Sequence, residues 1–191
     1  TRKITTKTLI EWLYFKTPEL YNNLTDRQIK WQIDLQIDEI CWTKIYTAAR
    51  CPFLTKTVKD IHYKVMSYAI ECRKFNVERK RLTESEINCT NCQLNVEETI
   101  THMLIDCPSV IEFWNNIEKL LTDIARGTNI NTKLDTIHKL FGIFEKKNKK
   151  QRNLINLVIF FAQTAIFCAK YYDNPPEPRK TFISMMINQI S

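Results

Sequence analysis

Glycine is nearly missing from this chain: Gly127 and Gly142 are the two in 191 residues. Tight hairpins draw on glycine for their positive-φ positions, so the composition leans away from sheet and toward helix. No Asp-Asp pair occurs to hold two divalent metals for polymerase chemistry. Tyr171-Tyr172-Asp173-Asn174 echoes a polymerase turn superficially, but Asn stands at the second acid and Pro175 follows, so it reads as a helix end. There is no glycine-rich phosphate loop, no Gly-x-Ser-x-Gly elbow and no His-Glu-x-x-His. The chain by itself is therefore expected to be non-catalytic. No basic, apolar, small-residue leader opens it, and its start at Thr1 reads as a processed terminus or, the favoured expectation, an excerpt from a longer polypeptide. The most apolar stretch, positions 154–169, falls short of the ~20 residues that cross a bilayer and contains Asn156, Gln163 and Thr164. A buried helix, and no membrane partner, is the expectation.

What is present is a 44% hydrophobic composition, enough for a folded core, and a net charge of +7. That charge favours an acidic partner such as nucleic acid.

Cys89, Cys92, His102 and Cys107 form Cys-x2-Cys-x9-His-x4-Cys within 19 residues, using one of three histidines. Cysteine is often a small buried hydrophobe, and the chain has seven. Four soft or borderline donors in this order outweigh that reading and suit one tetrahedral Zn2+. All four positions are protein ligands, so the ion is expected to be structural. An odd cysteine count and no secretory signal argue against disulfides.

Apolar spacing predicts a mainly α chain. Helices are expected over 6–15, from a Thr25/Gln28 capping box through Leu35, from Asp38 to Cys51-Pro52, and over 55–73. His62 lies beside the apolar stripe of the last of these, without a ligand partner, and reads as partly buried or on the surface. A short helix is expected to carry His102, and a longer one to run from Pro108 to about Arg126 with Trp114 as a core anchor. Gly127 is the expected stop. Positions 133–144, an all-round apolar helix at 152–172, and 179–189 complete the set.

Two basic runs stand out. Arg73, Lys74, Arg79, Lys80 and Arg81 surround Phe75. A solvated face is the plain reading; adjacency to the zinc motif turns it toward phosphate contact, with Phe75 available for stacking. Lys146, Lys147, Lys149, Lys150 and Arg152 make the second run, either a mobile charged loop or a second phosphate contact.

Cys89-Thr90-Asn91-Cys92, Glu98-Thr99, His102-Met103-Leu104, Cys107-Pro108 and Phe113-Trp114 together resemble the Cys-Cys-His-Cys segment near the C-terminus of reverse transcriptases from non-LTR (LINE-type) retrotransposons. Trp31 to Leu35, Trp42 to Ile45 and Lys64-Val65 resemble the segments that lead into that motif. The likeness covers nearly the whole chain, but the zinc segment alone is specific. Its nine-residue spacer before His102 is longer than the seven or eight of many members. The resemblance implies a helical, zinc-stapled domain that holds template RNA and/or target DNA beside the rest of the polymerase, in a nuclear and cytoplasmic ribonucleoprotein. Three parts are expected: 1–84, helical with a basic exit; 85–126, the zinc knuckle and its following helix; and 127–191, helical. The alternative is a zinc-stapled module that docks on the polymerase or a host factor, or a domesticated fragment of such an element.

Overall fold

The computed structural model describes residues 24–37, 40–126, 132–144, 148–171 and 177–190. The expected helix at 6–15, the Asp38 cap, Gly127, Lys146, Lys147 and Tyr172 lie outside these. Among the described residues the fold is helical, with one isolated bridge, Asn88 to Glu97, and no strand. The chain divides after Ile40 into two compact units.

The first unit is seen as α1, Asp26–Leu35. The Thr25 hydroxyl accepts the Gln28 N–H at 3.3 Å and the Gln28 side chain accepts the Thr25 N–H at 2.8 Å, the reciprocal cap expected from sequence. The helix stops at Gln36, whose φ is 54°. Gln36 and Ile37 donate back to Ile33 and Gln32, closing the last turn.

The second unit holds α2 (Trp42–Ala48), α3 (Lys56–Met66), α4 (Arg73–Glu78), α5 (Pro108–Ile124), α6 (Thr136–Phe141), α7 (Lys149–Tyr171) and α8 (Pro178–Ile190). A 3-10 turn at Glu84–Glu86 and a π-helical turn at His102–Asp106 lie between α4 and α5. Helix α7 is the axis. Every residue from Ile155 to Ile166 is buried, and α3, α5, α6 and α8 all pack on it. By length and composition α7 passes as a membrane span, yet 67% of its most apolar window is buried in the fold. It is a core helix, as its interior Asn156, Gln163 and Thr164 suggest.

Those polar side chains are satisfied locally. Asn156 accepts the Ile143 N–H at 2.7 Å and donates to the Ile143 carbonyl at 2.9 Å. The Gln163 amide donates to the Lys139 and Leu140 carbonyls at the end of α6. Thr164 bonds back to the Phe160 carbonyl. Helix α7 thereby sutures the end of α6 with hydrogen bonds that an all-apolar helix could not make.

Several expectations need correction. The helix expected from Asp38 starts only at Trp42, after Cys41. Positions 55–73 are not one helix: α3 ends at Met66, Tyr68 turns the chain at φ 51°, and α4 starts afresh from Cys72. The helix expected over 133–144 is the single short stretch Thr136–Phe141, because the Asp135 carboxylate accepts the His138 N–H and sets a late start. His62 is neither at the surface nor partly buried; it is 2% exposed, stacked on Phe160 with 3.8 Å between ring centroids. Helix α7 also begins earlier than position 152, which takes Lys149, Lys150 and Arg152 out of any loop and into its first turn.

Candidate metal centre

The first half of the 88–107 segment, Asn88 to Glu97, leaves its apolar Leu94 and Val96 exposed, so its shape rests on hydrogen bonds, whereas Ile100, Met103, Leu104 and Ile105 are buried. Cys89 donates its N–H to the Val96 carbonyl at 2.9 Å and Glu98 donates to Ile87 at 3.0 Å, pairing two extended stretches. The turn between them is made by Asn95 at φ 50°, with its side chain held by the Asn88 amide at 2.7 Å. Asparagine tolerates this conformation better than most residues, which is how a hairpin forms without glycine.

The far side of the site is a helical turn capped by Thr99. Its hydroxyl accepts the His102 N–H at 3.0 Å, and its carbonyl accepts that of Met103 at 2.9 Å. The turn then widens. The Cys107 N–H bonds to the His102 carbonyl at 2.8 Å, a π-type i to i+5 bond. In an α-helix residues five apart point well away from each other, at ~100° per residue. The wider turn brings i+5 back over i, and so places His102 and Cys107 on one side. The indole N–H of Trp114, buried on α5, donates to the Leu104 carbonyl at 2.7 Å and clamps this turn. Trp114 is the core anchor that its spacing predicts. Pro108 opens α5 directly after Cys107.

These elements bring together the four side chains predicted from spacing. One donor atom from each of Cys89, Cys92, His102 and Cys107 lies within 4.8 Å of all the others. Cys89 Sγ is 3.9 Å from Cys107 Sγ, and Cys92 Sγ is 3.4 Å from His102 Nε2. A tetrahedron with Zn–S bonds of about 2.3 Å has S···S edges of about 3.8 Å. The sulfurs stand far beyond the ~2.05 Å of a disulfide, and all seven cysteines are free thiols. The group can therefore hold a metal ion, with His102 offering Nε2. Further donors surround the sulfurs: the Asn91 N–H reaches Cys89 Sγ at 3.4 Å, and Ser109 Oγ lies 3.0 Å from Cys107 Sγ. Burial and the neighbouring Cys107 charge push the Cys89 thiol up to about 12 in the metal-free chain, against the Asn91 N–H that lowers it. A metal must expel that proton to bind.

Of the first basic run, three members are engaged within the fold. Arg73 Nε donates to the Glu86 carbonyl, Lys74 pairs with Glu97 at 3.1 Å, and Arg81 pairs with Glu71 at 3.5 Å. The Arg79 guanidinium covers the Phe75 ring at 4.5 Å, so the face expected to be open for stacking is occupied by the chain itself. Arg79 and Lys80 are exposed. Lys80 sits at φ 55°, closing α4 through its N–H to Val77 and that of Arg81 to Asn76. In the second run Lys149 and Lys150 are exposed on α7 and Arg152 is half-buried.

Sequence reasoning assigned no role to two residues that build the site. Thr99 caps the turn that carries His102. Glu98 is fully buried and pairs with Lys170 of α7. A capping threonine three residues before a ligand was a readable signal; a buried pair 72 residues apart in sequence was not. No family model matches the chain, and no curated protein matches it.

Proposed function

We propose that this chain is a non-catalytic nucleic-acid-binding domain, held together by one structural Zn2+, that belongs to a LINE-type reverse transcriptase and holds template RNA and/or target DNA during target-primed reverse transcription. The observation that carries the reading is the closed Cys89–Cys92–His102–Cys107 cluster, followed at once by the Pro108 helix with Trp114 at its core. Three thiolates and one imidazole match zinc better than harder cations. Four protein ligands leave no position for a reacting water, so the ion staples and does not catalyse. Exposed Arg79 and Lys80, close in sequence to the cluster, and the net charge of +7 supply the attraction for phosphate.

The test is metal analysis followed by filter binding. One zinc per chain is expected, with retention of RNA or single-stranded DNA that falls steeply with salt. Reversing Arg79 and Lys80 to glutamate should weaken retention and flatten the slope of log affinity against log salt by roughly 1.4, about 0.7 per neutralised phosphate. Unchanged RNA affinity after that reversal defeats the assignment of Arg79 and Lys80 as phosphate contacts.

A second reading has its own support. Arg73, Lys74 and Arg81 are taken up inside the fold, and Ile183 and Ile187 are exposed on α8. These features suit a zinc-stapled module that docks on the polymerase or a host protein. Failure to retain any nucleic acid at low salt, with zinc bound, selects this reading.

A further inference from the structure

Glu98 is a carboxylate with no exposure to solvent. Its Oε1 accepts from the Lys170 ammonium and, at 2.8 Å, from the Arg73 N–H that opens α4. Its backbone carbonyl accepts the Lys74 N–H at 3.1 Å, and its own N–H pairs with Ile87. Two of the first amides of α4 therefore end on this one residue. A charge at this depth persists only where partners hold it.

Helix α4 needs such a hold. It is six residues long and none of them is buried. A helix this short is not stable by itself. Cys72 Sγ caps it by accepting the Phe75 N–H at 3.5 Å, and two further anchors, Lys74 to Glu97 and Arg73 to the Glu86 carbonyl, lie on the 86–98 segment. That segment contains Cys89 and Cys92 and leads through Thr99 to His102. Lys170 reaches the same carboxylate from α7, and also lies 3.5 Å from Met103 Sδ, beside His102. Metal cluster, basic helix and core helix meet at Glu98.

We propose that Glu98 is the positioning residue that couples the metal cluster to the basic helix, so that zinc sets the presentation of Arg79 and Lys80 without touching nucleic acid. This rests on Arg79 and Lys80, which follow α4, being the phosphate contact proposed above. Metal closure fixes the 87–98 hairpin, and Glu98 passes that order to the first turn of α4. The Lys80 cap then fixes its last turn.

The test uses the full chain in a Lys170→Met background, which avoids leaving a lone buried charge when Glu98 is changed. Glu98→Ala removes the side-chain acceptor for Arg73, and Glu98→Gln keeps it. Both variants should bind one zinc and keep slow hydrogen exchange across Ile155–Ile166. The alanine variant should exchange the Arg73 amide and the rest of α4 about tenfold faster or more, and bind an RNA oligonucleotide about tenfold more weakly. The glutamine variant should restore both. Stripping zinc from the wild type should also release α4 to exchange. Equal α4 exchange in the two variants overturns the proposal, as does α4 exchange that ignores zinc removal, or loss of core protection in the alanine variant. If the wild-type chain retains no nucleic acid, the functional reading fails by itself, and the exchange comparison still decides the coupling.

Discussion

His62 is held as a neutral base inside the core. Its Nδ1 lies 3.2 Å from Gln163 Oε1, its ring stacks on Phe160, and its Nε2 is buried with no partner among the described residues. Burial lowers its pKa to about 4, against a smaller upward pull from Gln163. The unfolded chain protonates near 6.5 and the folded chain does not, so the unfolded state binds more protons between those values. This contribution to stability is complete above pH 6.5 and is lost as pH falls toward 4. The loss amounts to about 3 kcal/mol, at 1.36 kcal/mol per pKa unit. Denaturant unfolding of the wild type and of His62→Phe, each from pH 7 to 4.5, should show a shallower decline in the variant. Parallel declines refute a neutral buried imidazole. At the metal cluster the sign is the same for another reason. Cys89 must surrender a proton it holds up to about 12, so that thiol alone weakens zinc binding tenfold for each unit the pH drops between 8 and 6. Competition with a chromophoric chelator across that range should show at least this slope, and affinity independent of pH rejects Cys89 as a ligand.

Helix ends show how scarce glycine shapes the elements. Gln36, Tyr68 and Lys80 each take a left-handed φ after α1, α3 and α4, and each end closes with the same pair of backbone bonds. Glycine usually fills this position, and another residue there costs roughly 1–2 kcal/mol. Gln36→Gly should slow hydrogen exchange in α1 and stabilise it by up to about 1 kcal/mol, the relief of strain being partly offset by backbone entropy. Faster exchange in α1 contradicts this account. Gly142 is the opposite case. It sits at φ 78°, and a Cβ there would stand 2.8 Å from Asn156 Oδ1 and 2.8 Å from Phe160 Cζ. Both atoms lie in the packed core, so Gly142→Ala should cost about 2–3 kcal/mol and lower the thermal midpoint by several degrees. A change within error means that the α6 end can shift freely.

The same elements explain what was legible in the sequence. The Thr25–Gln28 box, the Pro108 start, the apolar run of α7 and the four metal donors all depend on residues close in sequence, and each is found where spacing put it. The break after Met66 was hidden because a tyrosine, not a glycine, makes the turn. The buried state of His62 was hidden because its partners, Phe160 and Gln163, lie on a helix about a hundred residues away. The π turn between His102 and Cys107 carries no residue signature; only the four-residue spacer, too long for one α-turn, hinted at it.

At the scale of the molecule, two kinds of order are joined. The α7-centred part is held by apolar burial, with Phe160, Phe161, Leu140 and Phe141 fully inside. The 87–107 segment combines a polar hairpin, whose Leu94 and Val96 are exposed, with the buried turn 102–105. Burial stabilises the first without metal, whereas the hairpin needs its four donors drawn to one point. Zinc removal should therefore unfold locally, not globally. After chelation, or in His102→Ala, amides of Ile155–Ile166 should stay protected while those of Cys89, Glu98 and Cys107 exchange at nearly unfolded rates. The clamp from Trp114 to Leu104 links the two parts, so the core should lose some stability without losing its cooperative transition. Were protection in α7 to vanish with the metal, the ion would be holding the whole domain together, and the apolar axis would be too weak to stand alone. Were the hairpin to keep its protection, the four side chains would be ordered by packing, and the cluster would not owe its shape to a metal.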